Sequence, residues 1–275
     1  MQKTIRITDA PSKVIAAIEL NVCAYIVAFI GKISGSQLVH RPEITYITSG
    51  IQDARLNYVC RTKASEATVK DVVGAIVAYF KQDETPFMWL IGPTTQPKNL
   101  DKVLLKQGLV LEEDLIGMTL DLSNYDEECS DHDTLQIQRC LSPLEVNDFG
   151  YVHSSMTENM AQGELWSRMM RAEWTEQEPL ELYVGISNDV PVTTGILFVY
   201  GGVVGIYYLA TMPTEREQGF GSAMMRFLLK RAKSLNYDVA VVKAPTDQVN
   251  FYRDFGFNPA CVFQTFTMQW DQRVL

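Results

Sequence analysis

Two segments of the chain, residues 89–122 and 241–270, follow the same order of sequence patterns. Each has an apolar strand-like run, a turn with a central proline (GPT at 92–94, APT at 244–246), a short helical stretch and a closing strand-like run. Similarity over several elements in order is the signature of a repeated unit. We therefore expect two copies of one fold.

The stretch SNYDEECSDHD, residues 123–133, separates the two copies and is rich in acids. A polar, charged run between two alternating apolar runs is typical of a linker. We place the boundary near residue 130, which gives predicted domains at 1–130 and 131–275. A chain of 275 residues is long enough for two domains of ordinary size.

Residues 134–270 alternate between strand-like and helix-like patterns. A serine followed by proline at 142–143 predicts the start of a helix, which we expect to continue through residue 170. A second helix is expected after the glycine-rich loop that follows residue 213. The predicted strands are 134–141, 180–187, 192–202, 203–211, 239–244 and 260–270. This order predicts an α/β (α+β) fold with a mixed central sheet flanked by helices.

Both parts of the chain are acidic. The 24 Lys and Arg residues face 33 Asp and Glu residues, which gives a formal charge of −9. Residues 1–130 carry 13 basic and 16 acidic residues, and residues 131–275 carry 11 and 17. A nucleic-acid binder needs a basic surface, so the composition argues against a nucleic-acid partner. It slightly favours cationic partners such as amines.

The longest apolar stretch, VIAAIELNVCAYIVAFI at residues 14–30, contains a glutamate and an asparagine. We interpret it as a buried core helix rather than a membrane span or a signal segment. The five cysteines show no C-x-x-C pair and the three histidines are isolated in the sequence, which predicts free thiols and no metal site. These features predict a cytoplasmic protein with no membrane partner.

The stretch PTEREQGFGSA, residues 213–223, lies between a predicted strand and a predicted helix. A helix N-terminus offers N–H groups and the positive end of the helix dipole, and glycines let a phosphate approach them closely. The alternative is a tight turn that needs glycine only for its dihedral angles. The corresponding part of the first copy reads CRTKASEA (60–67), whose side chains would keep a phosphate away from the backbone.

The order of strand, P-x-x-R-x-x-G-x-G loop, helix, strand and Y-x-x-x-G-F helix resembles the GNAT acyl-CoA N-acyltransferases. The residues that carry this resemblance are LATMPTEREQGFGSAMM (209–225) and NFYRDFGF (250–257). The whole chain is similar to tandem GNAT proteins with a degenerate first copy. The resemblance implies acetyl-CoA as co-substrate, with its pantetheine arm in a gap between strands 203–211 and 239–244.

The resemblance also assigns roles to individual residues. The pantetheine arm would pair with the strand end and the pyrophosphate would lie against the loop, which makes the cofactor-binding residues Leu209, Ala210, Thr211, Arg216, Glu217, Gln218, Gly219, Phe220, Gly221 and Ser222. Asn250 would contact coenzyme A. Tyr252 matches the position whose phenol protonates the leaving thiolate, and the alternative for Tyr252 is a core aromatic.

The base that deprotonates the amine is not assigned by the resemblance. Many relatives have a glutamate on the strand that corresponds to VAVVKA (239–244), and this strand has none. The remaining candidates are a water molecule, Glu158, Glu164 and Glu181. Trp166 and Trp174 are interpreted as core residues, with an aromatic pocket for an amine as the alternative.

The function implied by the resemblance is N-acetyl transfer from acetyl-CoA to a primary amine of a small molecule or peptide, by direct attack on the thioester. Two alternatives stay open. The first is a non-catalytic acyl-CoA sensor, which would fit the missing base. The second is an aminoacyl-tRNA-dependent transferase, which the acidic composition disfavours. The sequence does not identify the acceptor, and it is compatible with a homodimer.

Overall fold

The computed structural model describes residues 4–125, 134–156 and 159–270. The described residues form one mixed sheet of 11 strands, in the order β1-β2-β3-β4-β11-β5-β10-β9-β8-β7-β6, with helices on its faces. The strands are β1 Gln37–Arg41, β2 Ile44–Thr48, β3 Asn57–Cys60, β4 Phe87–Ile91, β5 Val110–Asp121, β6 Gln136–Arg139, β7 Leu180–Ser187, β8 Val190–Tyr200, β9 Val203–Thr211, β10 Val239–Pro245 and β11 Asn258–Met268. The helices are α1 Pro11–Gly31, α2 Val69–Lys81, α3 Leu100–Lys106, α4 Pro143–Ser154, α5 Met160–Met169, α6 Phe220–Ser234 and α7 Val249–Arg253.

The two halves of the chain exchange their last strands. Strand β5 of the first half pairs antiparallel with β10 of the second half, and β11 of the second half pairs antiparallel with β4 of the first. The two exchanged strands also pair with each other over most of their length. The halves therefore share one continuous sheet. The proposed boundary near residue 130 lies outside the described residues and stays a prediction.

Helix α1 packs on both halves of the sheet. Most of its residues are buried, and it contacts β1, β2 and β3 as well as β7, β8 and β9. The buried amide of Asn21 donates to the Tyr200 carbonyl at 2.9 Å and accepts from the Tyr207 hydroxyl at 2.7 Å. By length and hydropathy α1 could cross a membrane. Its burial between the two halves agrees with the predicted core helix.

One prediction of secondary structure was wrong. The expected continuous helix from residue 142 to residue 170 is two helices, α4 and α5. The first begins at a capping box, in which the Ser142 hydroxyl accepts from Glu145 N–H and the Glu145 carboxylate accepts from Ser142 N–H. The second begins at Asn159, whose side chain accepts from Ala161 N–H at 2.9 Å. This second N-cap, which periodicity does not reveal, starts a new helix.

The two faces of the second half of the sheet carry different cores. One face, which we call the α1 face, packs against α1, α4 and α5 and includes Val239 and Val241 of β10. The opposite face, which we call the α6 face, packs against α6 and α7 and includes Ala240 and Val242. Successive residues of β10 thus alternate between the faces, as expected for a strand.

Candidate functional site

Strands β9 and β10 separate partway along the sheet. They pair in parallel only from Val204 to Ile206 of β9 and from Ala240 to Val242 of β10. Both strands continue for several residues beyond this ladder, to Thr211 and to Pro245. The structure therefore contains a gap between these two neighbouring strands, as the resemblance implied.

Strand β9 has an irregular backbone at the start of the gap. Tyr208 has a left-handed φ of +49°, and the register between β8 and β9 shifts at this point. The Thr194 hydroxyl donates to the Tyr208 carbonyl at 3.1 Å, and the Thr193 hydroxyl donates to the Ala210 carbonyl at 2.7 Å. Because both carbonyls face β8, the backbone groups of Leu209 face the gap. A bulge of this kind re-aims backbone groups next to a site.

The gap opens into a cavity of about 490 Å³. Ten of the residues predicted to bind or react line it together: Leu209, Ala210, Thr211, Arg216, Glu217, Gly219, Phe220, Gly221, Ser222 and Tyr252. The other lining residues are Met156, Glu215, Asp247, Gln248 and Phe251. Gln218 and Asn250 do not line the cavity. Both are exposed, with Gln218 bonded to Glu215 and Asn250 to Arg253.

The loop before α6 turns through two residues with left-handed backbone conformation. Glu217 and Gly219 have left-handed φ values of +63° and +86°, and Gly219 is the N-cap of α6. A Cβ atom at Gly221 would lie 3.0 Å from the Thr211 hydroxyl, so this glycine lets the helix approach β9 closely. The N-terminus of α6 thus lies at the end of the gap, where its N–H groups and dipole favour an anion.

Charged side chains do not make the cavity positive. Glu215, Glu217 and Asp247 line it together with one cation, Arg216. These four side chains carry a net negative charge at neutral pH. Phosphate binding in this cavity would therefore depend on backbone N–H groups and the helix dipole more than on side-chain charge.

Tyr252 projects from α7 into the cavity from the α6 face. It is buried, and its ring contacts Phe251 and Phe257 at centroid distances of 5.3 and 6.0 Å. Burial raises the pKa of its phenol to about 12. The phenol therefore stays protonated at neutral pH, which is the form that a proton donor needs.

Residues 150–257 match the family described as acetyltransferase (GNAT). The matched segment contains both gap strands, the loop before α6 and Tyr252. Over this segment the chain is similar to the GNAT acetyltransferases. A search of the curated proteins found no match for the chain.

Solved structures share the fold over nearly the whole length of the chain. A GCN5-related N-acetyltransferase from Kribbella flavida is 13% identical, with 91% of this chain and 95% of that chain covered and a TM-score of 0.68. A tandem GNAT protein from the clavulanic acid biosynthesis pathway is 9% identical, with 98% of both chains covered and a TM-score of 0.61. A GCN5-related N-acetyltransferase from Sphaerobacter thermophilus is 10% identical, with 98% of this chain and 95% of that chain covered and a TM-score of 0.59. The tandem GNAT fold is thus shown for both halves.

The carboxylates considered as the base have other partners or lie outside the described residues. Glu181 forms ion pairs with Arg139 at 3.3 Å and Arg231 at 2.9 Å. Burial raises the pKa of Glu181, but hydrogen bonds from Arg231 and Tyr183 outweigh this effect and lower it. Glu164 pairs with Arg168 on the same helix. Glu158 lies outside the described residues.

The two tryptophans are core residues, as the sequence indicated. Trp166 is buried and its ring lies 5.1 Å from Phe149. The Trp174 ring is also buried, donates to the Met169 carbonyl at 3.2 Å and lies below the Lys32 ammonium.

His153 is a residue that the sequence analysis did not connect with the site. It lies on α4, its ring packs between Phe149 and Tyr208, and its Nε2 atom lies 2.9 Å from the Thr194 hydroxyl. Burial lowers its pKa to about 4, although a hydrogen bond with the Tyr208 backbone raises it, so the ring is neutral at pH 7. His153 and Thr194 together hold the irregular backbone of β9. No sequence pattern predicts this contact, because it joins residues 41 positions apart.

The first half contains a matching gap between β3 and β4. These strands pair in parallel only at Tyr58 with Met88 and at Val59 with Trp89. Beyond this ladder the buried Glu19 of α1 accepts a hydrogen bond from the backbone N–H of residue 94. A Cβ atom at Gly92 would lie 2.5 Å from the Glu19 carboxyl carbon. A side chain therefore fills this gap.

A second cavity, of about 550 Å³, lies between the first half and the start of α5. Its charged lining residues are Asp53, Asp83, Glu84, Glu112 and Arg55. Arg55 pairs with Asp53 at 2.7 Å, and Asn159 donates to the same carboxylate at 3.0 Å. The lining is thus predominantly acidic.

Proposed function

We propose that this protein transfers an acetyl group from acetyl-CoA to a primary amine of a small molecule or peptide. The observation that carries the proposal is the gap between β9 and β10, because it opens into a cavity that the α6 N-terminus and Tyr252 line together. A strand gap offers unpaired backbone groups to an extended arm, in the manner of an added strand. The α6 N-terminus at the end of the same cavity suits a pyrophosphate.

The residues of the gap would act on a thioester without a covalent enzyme intermediate. A backbone N–H of Leu209, next to the irregular Tyr208, would polarise the thioester carbonyl. The amine would attack that carbon, and the carbon–sulfur bond would break. The phenol of Tyr252 would protonate the departing thiolate, whose ordinary pKa near 8.5 makes protonation helpful.

A non-catalytic acyl-CoA sensor is the second candidate. It is favoured by the engagement of Glu181 and Glu164 in ion pairs, because neither is free to act as a base. A sensor would keep the cofactor cavity and lack turnover. The acidic lining of the second cavity would suit a cationic ligand such as an amine.

The two candidates are separated by a binding assay and a turnover assay on the full chain. Calorimetry with acetyl-CoA and with free coenzyme A measures binding, and a thiol-release assay against a panel of primary amines and peptides measures transfer. We expect micromolar binding and amine-dependent thiol release. Binding without release for every amine would favour the sensor, and the absence of binding would contradict both candidates.

A further inference from the structure

We propose that Lys243 is the proton acceptor for the amine, so that Lys243 and Tyr252 act from opposite faces of the gap. The inference rests on the proposed N-acetyltransferase function and names the base that the sequence and the carboxylates of the site do not provide.

Lys243 occupies the first position of β10 beyond the ladder with β9. The last paired residue of β10 is Val242, which lies on the α6 face together with Tyr252. Because side chains alternate along a strand, Lys243 shares the α1 face with Val241. A thioester held in the gap would therefore have the phenol of Tyr252 on one side and the amine of Lys243 on the other.

Lys243 has an unusual environment for a lysine. The side chain is only partly exposed, and its ammonium makes no hydrogen bond within 3.5 Å and no ion pair within 4.0 Å with any residue of the described chain. On the sheet Lys243 pairs with Gly117 of β5, which offers no side chain to it. A lysine amine that no protein group binds can accept a proton from a bound ligand.

Two groups face the amine of Lys243 from the elements packed against it. Glu113 lies on β5 and Cys23 on α1. Burial raises the pKa of Glu113, and the negative charges of Glu112 and Asp247 raise it further. Burial lowers the pKa of Lys243, and the negative charge of Glu113 only partly opposes this effect. The Cys23 thiol is neutral at pH 7, because its own pKa is raised well above its ordinary value. The neutral amine is therefore more populated than in an ordinary lysine, and only the neutral form accepts a proton.

The proton balance of the reaction is complete with these two groups. The neutral Lys243 amine takes one proton from the acceptor ammonium, and the resulting neutral amine forms the carbon–nitrogen bond. As the carbon–sulfur bond breaks, the thiolate takes the proton of the Tyr252 phenol. After the carbon–nitrogen bond has formed, the nitrogen gives its surplus proton to the Tyr252 phenolate, which restores the phenol. Lys243 then releases its proton to water.

The test compares Lys243→Arg and Lys243→Met with the wild type and with Lys98→Met. Lys98 lies in the turn that follows β4 of the first half, where its ammonium binds the Pro93 carbonyl. Arginine keeps the positive charge but cannot act as a base at neutral pH. We expect both Lys243 variants to lose about 10²- to 10⁴-fold in kcat at pH 7. They should also lose the acidic limb of the pH profile, while acetyl-CoA affinity changes by less than about threefold. Lys98→Met should behave as the wild type.

A Lys243→Arg variant that keeps the wild-type rate and acidic limb would overturn the inference and leave the proposed function intact. Reductive methylation over a range of pH, read by mass spectrometry, tests the same lysine without turnover. We expect Lys243 to react earlier than Lys98 as pH rises, and an inert Lys243 would overturn its role as a base. A wild-type chain that binds acetyl-CoA but releases no thiol with any amine would overturn the proposed function and the inference together.

Discussion

The gap between β9 and β10 opens into a cavity of about 490 Å³, whereas the gap between β3 and β4 holds the carboxylate of Glu19. Both gaps have the same backbone plan. In each one a residue with left-handed φ, Tyr208 at +49° or Arg61 at +54°, stands two positions after the last ladder residue. The repeated unit therefore keeps its strand geometry in both copies. The copies differ in the groups that surround the gap.

Two differences explain why only the second gap is open to a ligand. The helix after β9 begins with Gly219 and Gly221, whereas α2 begins at Val69 after a segment without glycine. In the first half α1 places Glu19 in the gap, and the chain closes again beyond it, where Gln96 N–H donates to the Thr62 carbonyl at 3.0 Å. Binding capacity thus depends on the loop and on the covering helix more than on the sheet.

The strongest test of this comparison is a negative charge at the α6 N-terminus. We expect Gly221→Asp to weaken acetyl-CoA binding by about 100-fold or more, because a carboxylate would stand where the pyrophosphate is proposed to bind. Calorimetry measures the effect. Gly221→Ala separates charge from the contact with the Thr211 hydroxyl and should cost only a few-fold.

The matched control is Gly74→Asp in α2 of the first half, where a Cβ atom meets nothing within 4 Å. This variant should leave acetyl-CoA affinity unchanged. Unchanged affinity of Gly221→Asp would contradict the phosphate role of the loop, and a loss with Gly74→Asp would place the cofactor in the first half instead.

Tyr252 offers the next largest effect. Its first-half counterpart, four residues before the repeated glycine, is the buried Leu104, which has no proton to give. We expect Tyr252→Phe to lower kcat by about 10- to 100-fold and to spare acetyl-CoA affinity. Since the pKa of Tyr252 is about 12, its proton-donating form should persist in the wild type up to about pH 11 and be lost only as pH rises further.

The control for Tyr252→Phe is Tyr183→Phe, which removes a buried hydroxyl that donates to Glu181 at 2.6 Å outside the gap. This control should lower stability without changing kcat. A wild-type kcat for Tyr252→Phe would remove this tyrosine from the mechanism and leave it as a core aromatic.

Removal of the Glu19 side chain tests whether this side chain alone keeps a ligand out of the gap between β3 and β4. We expect Glu19→Ala to lower the free energy of unfolding by about 1–3 kcal/mol, because the N–H of residue 94 loses its buried acceptor. Urea unfolding measures this change. The stoichiometry of acetyl-CoA binding should stay at one, because the first half also lacks the glycine loop.

Glu19→Gln keeps an acceptor oxygen and should cost less stability than Glu19→Ala. A second equivalent of bound acetyl-CoA in Glu19→Ala would show that the blocking side chain alone silences the first gap. The glycine loop would then contribute less to the difference between the two gaps.

Local patterns predicted the parts of the site that are close in sequence. The strands at 203–211 and 239–244, the loop between them and Tyr252 lie where the sequence placed them. Their ligand roles stay predictions. The exchange of β5 and β11 and the filling of the first gap were not predicted. These features depend on contacts such as the one between Gln264 of β11 and Asp114 of β5, 150 residues apart, which periodicity does not report.

The smallest expected effect concerns the acidic residues of the open cavity. Asp247 lines it close to the α6 N-terminus and would repel a pyrophosphate. We expect Asp247→Asn to strengthen acetyl-CoA binding by about two- to fivefold at low salt, since one exposed charge is worth at most about 1 kcal/mol. The gain should shrink as ionic strength rises. Glu84→Gln, which removes a charge from the second cavity, is the control and should leave affinity unchanged. Weaker binding of Asp247→Asn would mean that this carboxylate accepts a hydrogen bond from the cofactor instead of repelling its phosphates.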